Sequence, residues 1–432
     1  MDDTIFALSS AYGKAGVAAF RISGPRAGTI LDILSGGRKF VPNEIQFAKF
    51  RDKRGEAIDN GMAVFMRAPN SYTGEDTAEI FTHGGVAVIE ATYRVLAEFE
   101  GARIAEPGEF TKRAFLNGKL DLTQVEAVAD LVDAQTEAQR KQAMRGVDGE
   151  QSKLYGKWRG ELVKILAHAE AVIDFAEDEM PENVERENER AMRTLLAEIK
   201  AHVKGAETAR MIRHGIDVAI IGRTNAGKSS LFNRMLGMER AIVSPHAGTT
   251  RDIIEASLDV AGFKVNLSDT AGLNERASGA VEKKGIANAK RIARDADIKI
   301  LVIDGARGKI AAEADTIVAF NKIDRKGAGE VPAGTIGISA KTGKGIDGLW
   351  KILEEKIKEK AGAMADAALA RERHKKALEN CALHLGAALR EPQADIKAEE
   401  IRAATNALGQ ITGAVYFNEL LDEIFSRFCI GK

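Results

Sequence analysis

Residues 216–236 read IDVAIIGRTNAGKSSLFNRML. Val218–Ile221 form an apolar run suited to a buried strand, and the residues from Lys228 onward open a helix. Between them Gly222, Gly227, Lys228 and Ser229 stand in the order G-x-x-x-x-G-K-[ST], in the strand–loop–helix context that this pattern requires. The glycines let backbone N–H groups curl around a polyphosphate, Lys228 neutralises its outer charge, and the Ser229 hydroxyl ligates Mg²⁺. Asn225, Ala226 and Ser230 belong to the same cradle. The stretch specifies a phosphate-binding α/β domain but leaves ATPase, kinase and GTPase open.

Four further stretches decide between them. SDTAG puts Asp269 at a strand end, placed to hold the Mg²⁺ shell, with Thr270, Ala271 and Gly272 leading toward the γ-phosphate. FNKID ends another apolar strand, and its Asn321, Lys322 and Asp324 form the guanine reader, because a carboxylate accepts from a ring N–H and an exocyclic amine that adenine lacks in that arrangement. ISAK supplies Ser339, Ala340 and Lys341 for the loop closing over the base. GTTRD places Thr249 and Thr250 in a loop that senses the γ-phosphate through Mg²⁺. Four motifs in this order and spacing describe a GTPase, with GTP and Mg²⁺ as its ligands.

Two details bear on mechanism. Leu273 follows DTAG where Ras-type enzymes place a glutamine that orients water, so another group must supply that function. The amide oxygen of Asn225 suits a monovalent cation beside the phosphates, although a merely tolerated polar loop residue explains it as well. Only Gly305–Asp315 separate the strands IKILVID and TIVAF, a shorter crossover than parallel strands normally need.

The chain has 432 residues, 45% hydrophobic and 29% charged, with a formal net charge of -1. That length suits about three domains, and the charge gives no whole-molecule attraction to nucleic acid. With only 2 cysteines and an acidic N-terminus, MDDTIFALSS, the expected setting is cytoplasmic, with no membrane span. Cys381 shares an apolar stripe with Leu378, Leu385 and Leu389 and reads as core. Cys429, in the terminal FCIGK, stands where a prenyl group would attach, but Gly431 and Lys432 break that motif.

Residues 1–118 read as mixed α+β, with strand-like runs at Val17–Ile22, Ala63–Arg67 and Ala78–Thr82 and a helix in VAVIEATYRVLAEF. Helical periodicity occupies 119–210 and returns in 370–432, on either side of a strand-and-helix segment at 211–369. The expected architecture is therefore multidomain α/β: an α+β N-terminal domain, and a discontinuous helical domain carrying an inserted, doubly wound P-loop domain with a parallel sheet.

Taken together, DTIFALSS, FRISG, APNSYTGED, THGG, EPGEFTKRAFLNGKLDLTQVEA, IDF, GRTNAGKSSLFN, AGTTRD, DTAGL and FCIGK resemble the tRNA-modification GTPase MnmE (TrmE) family along the whole chain. The resemblance implies a GTPase working with a FAD-dependent MnmG-like flavoprotein in a heterotetramer. Such a complex adds an aminomethyl or carboxymethylaminomethyl group at C5 of the tRNA wobble uridine. It implies that a dimerising N-terminal domain binds a tetrahydrofolate derivative through Arg21, Glu79, Lys119 and the terminal Lys432. These types suit folate carboxylates and pterin donors. It also implies a homodimer in which K⁺ meets Asn225, Ser244, His246 and Thr249, with Glu282 positioning the water. Cys429 is then expected on a mobile tail, delivered as a nucleophile by a helix ending near Phe428. The rival expectation is a GTP-dependent RNA or ribosome assembly switch with no chemical role, for which folate-type residues and a tail thiol have no use.

Overall fold

The computed structural model describes residues 3–174, 183–237, 240, 242, 255–269, 291–304, 313, 315–325, 330–362, 371–416, 418–426 and 428–432. Ser244, His246, Thr249, Thr250, Thr270, Ala271, Gly272, Leu273, Glu282 and most of the 305–315 crossover lie outside the described residues. The chain separates into two compact units. One comprises residues 1–129, 147–159 and 405–432, the other 130–146 and 160–404.

The first unit is built on a mixed sheet. Its strands are β1 (Thr4–Leu8), β2 (Ala15–Ser23), β3 (Gln46–Arg51), β4 (Ala57–Met66), β5 (Thr77–Gly84) and β6 (Ala102–Ile104), in the order β3-β4-β5-β2-β1-β6. Pairing is antiparallel except between β1 and β6. Side chains alternate across a strand, so Phe6 and Leu8 of β1 enter the core beneath α1 (Ala27–Leu34) and α2 (Val86–Ala97), while Ile5 and Ala7 pack with Phe110 and Ala105 on the other face. Burial on both faces is why TIFAL shows no polar alternation. The expected helix 86–99 is α2, ending at Ala97.

A buried ionic knot closes this unit. Arg113, on α3 (Glu109–Leu116), is 1% exposed and donates to Glu75 at 3.1 Å, Asp3 at 2.8 Å and Glu109 at 3.1 Å. Arg103 grips Asp3 and Glu109 from the other side, which holds the Glu109 carboxyl below its ordinary range despite burial. Much of the GEFTKRAFLNGKLDL block therefore serves structure. Two later helices complete the unit's helical side. These are the N-terminal part of α4 (Leu122–Asp133) and α13 (Asn418–Phe425), whose Leu421, Ile424 and Phe425 pack on Leu122 and Val125.

In the second unit the helices are α5 (Glu137–Val147), most of α6 (Glu150–Asp174), α7 (Asn183–Lys204), α8 (Ala206–His214), α11 (Glu372–Ala388) and the N-terminal part of α12 (Ala394–Thr412). Helices that precede and follow the nucleotide domain pack together, as the insertion requires. Arg402 reaches Glu170 at 2.8 Å, and Lys397 reaches Glu185 at 3.3 Å. The Asp130 carboxylate takes Arg213 at 2.9 Å, just before the insert, and Arg371 at 2.8 Å, just after it. One carboxylate thus pins both stems. Cys381 is fully buried, and burial pushes its thiol up to about 12, in keeping with a core role.

The insert carries a sheet ordered β12-β11-β10-β7-β9-β8, from β7 (Ile216–Gly222), β8 (Glu255–Val260), β9 (Phe263–Asp269), β10 (Ile298–Asp304), β11 (Thr316–Asn321) and β12 (Ile336–Gly337). All pairs are parallel except the edge hairpin β8–β9. Its aliphatic strands pack against α9 (Lys228–Leu236) and α10 (Ile346–Gly362) through Leu231, Met235, Leu349, Trp350 and Leu353. The residues that enter this core alternate along the strands, as in Ile216, Val218 and Ile220 of β7 and Ile298, Ile300 and Val302 of β10, so they share one face of the sheet. Among the described residues, no helix is long and apolar enough to cross a membrane.

Candidate functional site

Strand β7 has its successor helix on one side and neighbours β9 and β10 on either flank, so the carboxyl ends of β7, β9, β10 and β11 meet at the point where the strand order reverses. Ligands bind there in open α/β sheets. The structure brings Gly222, Asp269, Asp304 and Asn321 to that edge, each the last residue of its strand. The motif residues Ser339–Lys341 follow β12 with only Ile338 between.

The loop between β7 and α9 is shaped for phosphate. Gly227 has φ +102, and a Cβ there would stand 2.2 Å from Asn321 Nδ2. Gly222 has φ +146, and a Cβ would meet the Val302 carbonyl at 2.2 Å. Neither position tolerates a side chain. Asn225 also takes a left-handed conformation, φ +63, which its short side chain permits. No side chain caps the start of α9, so its first N–H groups and the positive end of its dipole face the loop. Lys228, 8% exposed, donates to the Arg223 carbonyl at 3.0 Å across the same loop. This cradle fits a polyphosphate.

The loop after β11 is tied to the loop before α9 by one residue. Asn321, 2% exposed, donates from Nδ2 to the Ala226 carbonyl at 2.9 Å, and its Oδ1 accepts from the Lys322 amide at 2.8 Å and the Ala340 amide at 3.0 Å. Lys322 reaches the Asn225 carbonyl and Asp304, both at 2.7 Å. The Ser339 hydroxyl, and the nearby charges of Lys341 and Arg325, lower the Asp324 carboxyl below its ordinary value, so it stands ionised as an acceptor. Two contributors escaped the sequence reading. Asp304 anchors Lys322, and Arg234 of α9 donates to the carbonyls of Ala340 and Lys341. Arg234 lines, with Ser230, Ala340 and Lys341, a groove of about 460 Å³. No local motif announces either residue, because their partners lie far along the chain.

A second constellation lies in the first unit. Arg21 on β2 and Glu79 on β5 are directly opposed in register and pair at 2.8 Å, with side chains 16% and 22% exposed. This is a half-buried pair, not a solvated surface one. The Arg21 guanidinium sits 4.9 Å from the Tyr72 ring centre, a residue inside APNSYTGED that the sequence reading did not single out. Burial, then the Arg21 charge, pulls the Lys432 ammonium below its ordinary range, and Glu79 and Cys429 act in the opposite sense. Gly431 seats against Leu8, whose neighbour Ala7 is paired in register with Arg21, so the following Lys432 lies within electrostatic reach of the Arg21–Glu79 pair. Lys119 touches another wall, donating to the Pro69 carbonyl at 3.0 Å with its stem against Gly74.

The expectation of a mobile tail is corrected. The Cys429 carbonyl accepts from the Gly108 amide at 3.4 Å, and Gly431 is buried at φ +101, where a Cβ would meet the Leu8 carbonyl at 2.2 Å. Gly431 is thus a docking residue and not a flexible joint. Helix α13 ends at Phe425, and Phe428 belongs to the docked segment, packed beside Phe425. Cys429 itself remains exposed.

Comparison with known proteins matches residues 4–119 to the model described as "GTP-binding protein TrmE N-terminus" and residues 122–429 to "MnmE helical domain". Proteins named tRNA modification GTPase MnmE are similar throughout. That of Parvibaculum lavamentivorans is 46% identical over 440 residues, and that of Paramagnetospirillum magneticum 43% identical over 444, each covering 100% of both chains. The Rickettsia rickettsii protein is 39% identical over 444 residues, with the same full coverage. On the two family models and these full-length relatives, the chain belongs to the tRNA modification GTPase MnmE family and is a GTPase of that family.

Proposed function

We propose that this chain, as a homodimer, hydrolyses GTP with the help of K⁺. Together with a FAD-dependent MnmG-like partner, in a heterotetramer, it adds an aminomethyl or carboxymethylaminomethyl group at C5 of the tRNA wobble uridine. The carbon comes from a tetrahydrofolate derivative held by the N-terminal domain. The domains of this reading are residues 1–118, 119–210 with 370–432, and 211–369.

In the nucleotide site, Lys228 and the amides opening α9 hold the phosphates, while Asn321, Asp324 and Ser339–Lys341 read guanine. Magnesium, when bound, supplies positive charge beside the phosphates, and Ser229, Asp269 and Thr250 are the residues to hold it. Lys322 occupies the Asn225 carbonyl, so the K⁺ role falls to the Asn225 side-chain oxygen, with Ser244, His246 and Thr249. Glu282 orients the attacking water in place of the glutamine that Leu273 replaces.

The observation that carries the chemical half of this reading is the gathering of Lys432 beside the Arg21–Glu79 pair, next to the exposed Cys429. Two cations, one of them over the Tyr72 ring, and a carboxylate suit an anionic pterin conjugate: Glu79 accepts from ring donors, and Arg21 and Lys432 hold carboxylates. A GTP-driven assembly switch has no use for such a cluster. The test is calorimetric titration of the full chain with a tetrahydrofolate derivative. Binding that Arg21→Met abolishes, with GTP hydrolysis intact, supports the reading. Absence of binding by the parent chain refutes the folate assignment.

A further inference from the structure

We propose that Arg234 is a positioning residue for guanine recognition, acting through the loop Ser339–Lys341. This rests on the assignment of that loop to the base, and goes beyond it by naming what sets the loop's orientation. The planar guanidinium donates from Nε to the Ala340 carbonyl at 3.2 Å and from Nη2 to the Lys341 carbonyl at 2.5 Å. A trans peptide directs its C=O and the following N–H to opposite sides. Holding the Ala340 carbonyl toward Arg234 therefore turns the Lys341 N–H to the opposite face of the loop. The neighbouring peptide units are fixed as well. The Ala340 amide donates to Asn321 Oδ1 at 3.0 Å, and the Thr342 amide donates to Ser339 Oγ at 3.1 Å.

Three successive peptide planes are thus set by Asn321, Arg234 and Ser339. Arg234 lies two turns into α9, the helix whose first residues, Lys228 and Ser229, open the phosphate cradle. Through it the helix that senses phosphates also sets the donors of the base loop. Only a planar fork with two divergent N–H groups reaches two consecutive carbonyls; a lysine ammonium is a point donor.

The test uses the full chain with Mg²⁺ and K⁺ present. Dissociation of a fluorescent GDP analogue is followed by stopped flow, and KM and kcat for GTP are measured separately. The guanidinium is exposed, so losing its two bonds is expected to cost about tenfold, near the lower end for bonds from a charged donor. Arg234→Met should accelerate dissociation about tenfold and raise KM similarly, with kcat within about twofold. Arg234→Lys should fall between, near threefold. Replacing a residue that merely supported the fold would lower the melting temperature while leaving GDP dissociation and KM unchanged. Asp324→Asn is the control for the loop assignment and should exchange guanine for xanthine preference. If that control behaves so and Arg234→Met leaves dissociation within twofold, the role of Arg234 is refuted alone. If Asp324→Asn leaves GDP binding unchanged, the base assignment falls, and the role of Arg234 with it.

Discussion

Replacing Asn321 by alanine should unfasten the nucleotide domain where base and phosphate loops meet. The side chain serves three backbone groups: the Ala226 carbonyl, the Lys322 amide and the Ala340 amide. Two of these bonds, to Ala226 and Ala340, are buried. A buried polar group left unpaired costs about 1–3 kcal/mol, so two give roughly 2–6 kcal/mol. The third is nearer water and adds little. Entry of water at this loop edge favours the lower half, about 2–4 kcal/mol. The chain has 2 tryptophans, and Trp350 on α10, 2% exposed, reports the nucleotide domain once Trp158 is replaced by phenylalanine. With a urea slope of about 2 kcal/mol per molar, the Trp350 fluorescence midpoint should fall by about 1–2 M. A fall of less than about 0.3 M would show that Asn321 carries no structural weight, and the tie between the two loops would be wrong.

Four other outcomes follow from the same contacts. Gly227→Ala places a Cβ 2.2 Å from Asn321 Nδ2 in a left-handed backbone, so nucleotide binding measured by equilibrium dialysis should fall by at least a hundredfold. Arg113→Met leaves Glu75 without its ion-pair partner, while Asp3 and Glu109 keep Arg103, and should cost about 3 kcal/mol in the first unit, seen as lost hydrogen-exchange protection in β1 and α3. Burial and the charge of His374 pull His202 below its ordinary 6.5, so the unfolded chain takes this proton first as acid is added. Stability from His202 is therefore full above about pH 6.5 and declines below it, and His202→Gln should flatten the dependence of the urea midpoint between pH 7.5 and 5.5. Gly431→Ala should undock the tail, sparing GTP hydrolysis while tRNA modification is lost; normal modification would mean that docking is irrelevant to the chemistry.

The nucleotide domain was legible because its chemistry is local. Gly222, Gly227, Lys228 and Ser229 occupy a single loop and helix start, so the strand–loop–helix geometry was readable from spacing alone. The insertion was legible too, since helical periodicity breaks off and returns. What escaped was contact between distant segments. Asn321 reads as a guanine ligand in sequence, yet it also bonds Ala226, 95 positions earlier. Arg234 looks like an ordinary helix-surface residue until its carbonyl partners, 106 and 107 positions away, are seen. The tail was expected to be mobile because nothing local in FCIGK shows a docking partner, whereas Gly431 marks close approach to the Leu8 backbone. Strand β1 hid for a related reason: burial on both faces erases the alternation by which strands are recognised.

The most direct test of the proposed function is the nucleoside content of tRNA from cells lacking this protein, read by mass spectrometry. The same run should compare rescue by the intact chain and by Cys429→Ser. The account predicts that C5-modified wobble uridines vanish, that the intact chain restores them, and that Cys429→Ser does not although it still hydrolyses GTP. An unchanged nucleoside profile in the deleted cells would contradict it and leave a GTP-driven switch acting on some other target.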